Sequence, residues 1–160
     1  MVIPIPEEQF VKFLCEAKRS TYAAKDEKAK VTPVLAGSHQ LEFRRGALLY
    51  RDIYFGGDFF VGQETVYFKN DPLWGMSYAG GINEAVKPNE THGIYEFLTA
   101  ALRQVPHNAP YRGPTFYNLG DFSYNNRILG NVNRFSGVET ISFEGTSIYQ
   151  LHYSGGVLHG

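Results

Sequence analysis

The sequence predicts an α+β fold made by internal duplication. A helix followed by three or four antiparallel strands occurs twice, and the two helices pack on one face of an antiparallel sheet. Three observations lead there. First, FVGQETVYFKNDPLWGMSYAGGI at 60–82 aligns without a gap on FSGVETISFEGTSIYQLHYSGGV at 135–157, with eight of 23 positions identical. Average residue frequencies would give about one or two, so the match points to a duplicated unit. Second, a segment with apolar residues at helical spacing precedes each copy. Third, aromatic and β-branched runs punctuated by Gly, Asn and Asp fill the space between, as strands and tight turns do. The 160 residues read as one domain of two repeats, about 6–82 and 90–157.

The first helix is predicted to start near Pro6, with Glu7 and Glu8 in its first turn, where negative charge meets the helix dipole. Phe10, Phe13, Leu14 and Ala17 recur on one side. Strands are expected at 47–55, 59–68 and 73–79, with turns at Gly56-Gly57-Asp58 and Asn70-Asp71-Pro72. The KDEKAK stretch at 25–30 reads as a solvated loop. The second helix is expected to be capped near Thr91, with Ile94, Phe97, Leu98, Ala101 and Leu102 as its stripe, and Pro106 limits it. Strands follow near 121–128, 134–143 and 147–154, with Glu144-Gly145 at the last turn. Shorter strands are expected at 39–44 and 115–118. The Gly-Gly pairs at 80–81 and 155–156 read as turns needing positive φ.

Period-two alternation assigns faces. Trp74, Met76 and Tyr78 share one, as do Tyr149, Leu151 and Tyr153. In the preceding strand Glu64 begins the stripe Glu64, Val66, Phe68, and Glu139 begins Glu139, Ile141, Phe143. An unpaired buried carboxylate costs several kcal/mol, so each needs a partner, a shifted pKa or a ligand. Both readings stand: Glu64 and Glu139 serve structure, or they face a ligand in a groove walled by Trp74, Tyr78, Tyr149 and Tyr153.

Composition bounds the rest. Net charge is −1 and there is no Lys/Arg stripe, which disfavours direct nucleic-acid binding. No apolar run approaches the ~20 residues of a membrane span, and the N-terminus lacks signal-peptide character, so a cytoplasmic location is expected. Cys15 is the one cysteine and reads as a packed thiol. The five histidines, His39, His92, His107, His152 and His159, form no ligand pattern, so no metal or cofactor is expected. His152 should be exposed. No nucleophile elbow or phosphate-cradling motif occurs.

At GSHQLEF (37–43), the Tyr-rich strands after it and MSYAGGI, the chain resembles a bacterial domain family of unknown function that occurs alone or behind an XRE-type helix-turn-helix. The resemblance runs from FLCEAKRSTYA (13–23) to the final YSGGV. It implies the stand-alone form, with no helix-turn-helix ahead of Phe10, and a sensing role, and it transfers no catalytic residue. The favoured function is binding of a small aromatic or cationic organic ligand, with Glu64 or Glu139 as counter-ion. One alternative is a hydrolase or isomerase using the two carboxylates as acid and base. The other is an interaction module without a pocket, for which an exposed sheet edge would allow a homodimer.

Overall fold

A computed structural model describes residues 4–24, 27–87 and 91–158. Lys25 and Asp26 of the KDEKAK loop, and His159, lie outside the described residues. In chain order the elements are α1 (Glu7–Ser20), β1 (His39–Arg45), β2 (Leu48–Gly56), β3 (Phe59–Phe68), β4 (Asp71–Ile82), α2 (Thr91–Leu102), β5 (Phe116–Leu119), β6 (Phe122–Asn131), β7 (Arg134–Phe143) and β8 (Thr146–Val157). All eight strands join one antiparallel sheet in the order β1-β2-β3-β4-β8-β7-β6-β5.

This corrects the expected class. The molecule is dominated by its eight-stranded antiparallel sheet, and two helices of 14 and 12 residues are minor elements. It is not an α+β fold produced by doubling a helix-plus-strands unit. The helices do not hold equivalent places: α1 lies chiefly against β1, whereas α2 lies against β6. The physical reason is strand length. β3, β4, β7 and β8 run 10 to 12 residues, and the β4–β8 pairing continues the ladder across the whole molecule. Matching sequence in two strand segments therefore reported matching strands and did not define the class.

The Gly-Gly pairs also differ from expectation. Gly80 and Gly81 lie inside β4, and Gly155 and Gly156 inside β8. A Cβ at Gly81 would collide with the Asp58 carbonyl, and one at Gly80 with the Gln150 carbonyl. They are sites of close backbone approach within the sheet rather than turns, although Gly80, Gly81 and Gly156 carry the expected positive φ. Turns do fall at Lys69-Asn70, overlapping the expected Asn70-Asp71-Pro72, and at the expected Glu144-Gly145, all four residues with positive φ.

One core cluster joins the apolar stripes of both helices (Phe10, Phe13, Leu14; Ile94, Phe97, Leu98) to one sheet face (Tyr50, Val66, Trp74, Tyr124, Ile141, Tyr149). Phe10 meets Trp74 at 6.2 Å between ring centroids, and Phe97 stacks on Phe122 at 5.0 Å. The C-terminal ends of the helices are tied by Arg103 Nε donating to the Ala23 carbonyl (2.6 Å) and Arg19 donating to the Val105 carbonyl (3.1 Å). Cys15 is fully buried, and burial pushes its thiol pKa up. His152 is exposed. Among the described residues no helix is long and apolar enough to cross a membrane.

Candidate functional site

The packed face of the sheet carries an unusual load of charge. Among the described residues the buried charged side chains are Lys18, Asp52, Glu64, Arg112 and Glu139. Register explains how they meet. Directly opposed residues on neighbouring strands share a face, so Asp52, Glu64 and Met76 form one row across β2–β3–β4, and Asn126, Glu139 and Leu151 form one across β6–β7–β8.

Glu139 is fully enclosed. Arg112, from the connection between α2 and β5, grips it with Nε at 3.1 Å and Nη2 at 2.5 Å. The Tyr124 and Tyr149 hydroxyls donate to its two oxygens at 2.6 and 2.8 Å. Asn126 receives the Tyr153 hydroxyl (2.7 Å) and donates to the Gly113 carbonyl (2.9 Å). Every polar group in that row has a partner.

Glu64 is equally buried but less well supplied. Lys18 of α1 pairs with its Oε2, while Oε1 has no hydrogen-bond partner. Burial lowers the Lys18 pKa, and Glu64 opposes that shift. The Tyr50 hydroxyl also lacks a partner, and the Trp74 indole donates elsewhere, to the Val132 carbonyl at 3.2 Å. Asp52 accepts from the Tyr78 hydroxyl at 2.6 Å and has no ion-pair partner among the described residues. Burial, then the neighbouring Glu64 carboxylate, raise Asp52 to about 7 against the pull of Tyr78, Lys18 and Arg112.

Beside Asp52 a cavity of about 480 Å³ opens. Asp52, Tyr78 and Arg112 border it on the sheet side, Tyr95, Leu98 and Leu102 of α2 form another wall, and Tyr22, Tyr54 and Phe60 complete the aromatic lining. The Tyr22 hydroxyl is buried and has no partner. Gly62 makes room for the Tyr78 ring, because a Cβ there would fall on the Tyr78 hydroxyl. At the rim His39 stacks on Tyr54 (4.9 Å), and Glu27 pairs with Lys30 at 2.6 Å. Among the described residues no three His, Cys, Asp or Glu side chains gather as metal ligands.

Of the residues singled out from sequence, Tyr78 lines this cavity. Glu64 and Glu139 sit behind it in separate ion pairs, and Trp74 and Tyr149 are fully buried. Tyr153 borders a separate open groove with Asn126, Arg127 and His152. Sequence reasoning missed Asp52, Lys18, Arg112 and Tyr22. Two carried a legible signal. Lys18 lies four residues beyond Leu14 on the apolar stripe of α1, and Asp52 alternates with Tyr50 and Tyr54. Arg112 and Tyr22 lie in connections without periodicity.

A family model for a domain of unknown function, DUF5680, matches residues 52–158. The chain belongs to the DUF5680 family. The matched stretch includes Asp52, Glu64, Arg112 and Glu139, whereas α1 with Lys18 precedes it. No curated protein and no solved structure matches the chain. DUF5680 membership thus names kin and assigns no activity.

Proposed function

We propose that this DUF5680 chain is a small-molecule-binding domain that takes an aromatic or cationic organic ligand into the cavity beside Asp52. The carrying observation is the combination of a 480 Å³ hollow, five aromatic side chains around it and a buried carboxylate at its edge without an ionic partner among the described residues. Pockets of a few hundred Å³ with apolar walls and few convergent polar groups are the usual form of organic-ligand sites. The counter-ion in this reading is Asp52, in place of Glu64 or Glu139, whose charges are engaged by Lys18 and Arg112. The same engagement disfavours an acid–base pair made from the two glutamates. In keeping with the resemblance to bacterial domains that accompany XRE-type regulators, binding serves sensing in the cytoplasm.

A thermal-shift screen of organic compounds of all charge types tests the reading. Ligands should raise Tm of the wild-type chain and fail to do so for Thr99→Trp, which fills the cavity from α2. Absence of any compound that stabilises the wild type selectively over that variant would sink it.

A further inference from the structure

Resting on that reading, we infer that the ligand is an organic monocation, a protonated amine whose N–H donates to the Asp52 carboxylate. The first argument is a count. Among the described residues two buried cations, Lys18 and Arg112, face three buried carboxylates, Asp52, Glu64 and Glu139. Each cation contacts one glutamate. The surplus acid is Asp52, and it is the carboxylate that reaches the cavity. Above pH 7, where Asp52 is ionised, one positive charge balances the interior, and an anionic ligand would add a second uncompensated charge.

The second argument comes from Asn126, which stands opposite Glu139 as Asp52 stands opposite Glu64. Each accepts a tyrosine hydroxyl, Tyr153 for Asn126 and Tyr78 for Asp52. The Asn126 amide then donates to the Gly113 carbonyl. An ionised carboxylate has no donor, so at Asp52 the required partner is reversed from a carbonyl to an N–H group. Among the described residues no backbone N–H donates to the Asp52 carboxylate, and the cavity opens beside it. The aromatic walls suit that charge: Tyr54, Phe60 and Tyr95 border the cavity, while the Tyr22 ring already meets Lys18 and Arg112.

Binding is coupled to pH through Asp52. The groups facing it are Glu64 on β3, Tyr78 on β4, Lys18 on α1, Arg112 before β5, Tyr50 and Tyr54 on its own strand, and Tyr22 after α1. His39 and the Glu27–Lys30 pair stand at the rim. Asp52 must shed its proton to receive an ammonium, so amines bind more tightly as pH rises from about 5.5 to 8.

Calorimetry with tryptamine, tyramine and phenethylamine, each beside the alcohol and the carboxylate of the same skeleton, tests the assignment. At pH 8 the amine should bind about tenfold or more tighter than its alcohol, and the carboxylate more weakly still. Asp52→Asn, checked for native circular dichroism, should shrink the amine preference to about threefold or less and flatten the pH dependence. In the wild-type chain alone, the affinity for amines should rise across neutrality. The inference is overturned if no amine binds, if an alcohol or carboxylate binds as tightly, if wild-type affinity is flat with pH, or if Asp52→Asn keeps the preference. Neutral or anionic compounds that stabilise the wild type but not Thr99→Trp would sink this inference and leave the binding reading intact.

Discussion

The β2–β4 and β6–β8 regions solve one problem with different completeness. Both bury a glutamate on the third row of an apolar face, and both set a tyrosine ring over a glycine, Tyr78 over Gly62 and Tyr153 over Gly137. In the β6–β8 region a bidentate arginine and two tyrosines saturate Glu139, and the Arg112–Gly113 connection covers Asn126. In the β2–β4 region Trp74 replaces the hydroxyl that Tyr149 supplies, Tyr50 is left without a partner, and one Glu64 oxygen is orphaned. The difference is one of saturation. The β6–β8 network fixes a shape, while the β2–β4 region keeps Glu64 Oε1 and the Tyr50 hydroxyl without partners behind the cavity that Asp52 borders.

The largest effects should come from the ion pairs. Lys18→Met and Arg112→Met each strand a buried glutamate and should cost roughly 3–5 kcal/mol by urea denaturation. The double variants separate the regions. Lys18→Met/Glu64→Leu should return to within about 1.5 kcal/mol of wild type, since almost nothing else depended on Glu64. Arg112→Met/Glu139→Leu should stay destabilised by about 2 kcal/mol or more, because Tyr124 and Tyr149 lose their acceptor. Equal recovery of the two doubles would erase the contrast.

Next come the exchanges at the paired Asp and Asn positions. Asn126→Asp puts an ionised acid against the Gly113 carbonyl and should cost about 2 kcal/mol at pH 8. It should cost less at pH 5, where the protonated acid can donate. Asp52→Asn should act in the opposite sense. A folded-state pKa raised from 3.8 to about 7 means Asp52 stabilises fully below pH 4 and loses that contribution as pH rises through 7. The variant should therefore gain on wild type as pH rises from 4 to 7 and keep that lead above 7, the two Tm curves converging near pH 4. A constant Tm difference across that range would break the assignment.

Gly62→Ala should cost about 1–3 kcal/mol by driving Tyr78 off Asp52, and should weaken ligand-dependent stabilisation with it. Gly137→Ala should cost the same with no effect on ligand. The smallest contrast lies in two hydroxyls. Tyr124→Phe should lose about 1–2 kcal/mol, while Tyr50→Phe, whose hydroxyl has no partner, should be neutral or slightly stabilising in thermal melts.

Much of the frame was legible in the residues. Every strand and both helices overlap the segments that periodicity and turn residues assign, and α2 starts at Thr91, but β4 and β8 run on through the Gly-Gly pairs to Ile82 and Val157. Period two placed Glu64, Glu139, Tyr78 and Tyr153 on the packed face. The class was misjudged because strand pairing is not written in local spacing: the β4–β8 ladder, which makes one sheet of eight strands, joins residues about 75 positions apart. The site was half legible. A carboxylate in an apolar stripe announces that it needs a partner and stays silent on which one.

Sequence by itself determined the elements, the inward faces and the presence of buried charge, because these follow from near-neighbour sterics and from the cost of desolvating polar atoms. Only the tertiary structure decided which charges cancel. Lys18 reaches Glu64 across 46 residues and Arg112 reaches Glu139 across 27, each over a gap set by packing. What remains after that pairing, one acid at the edge of a hollow, is a property of the assembled core and of no segment within it.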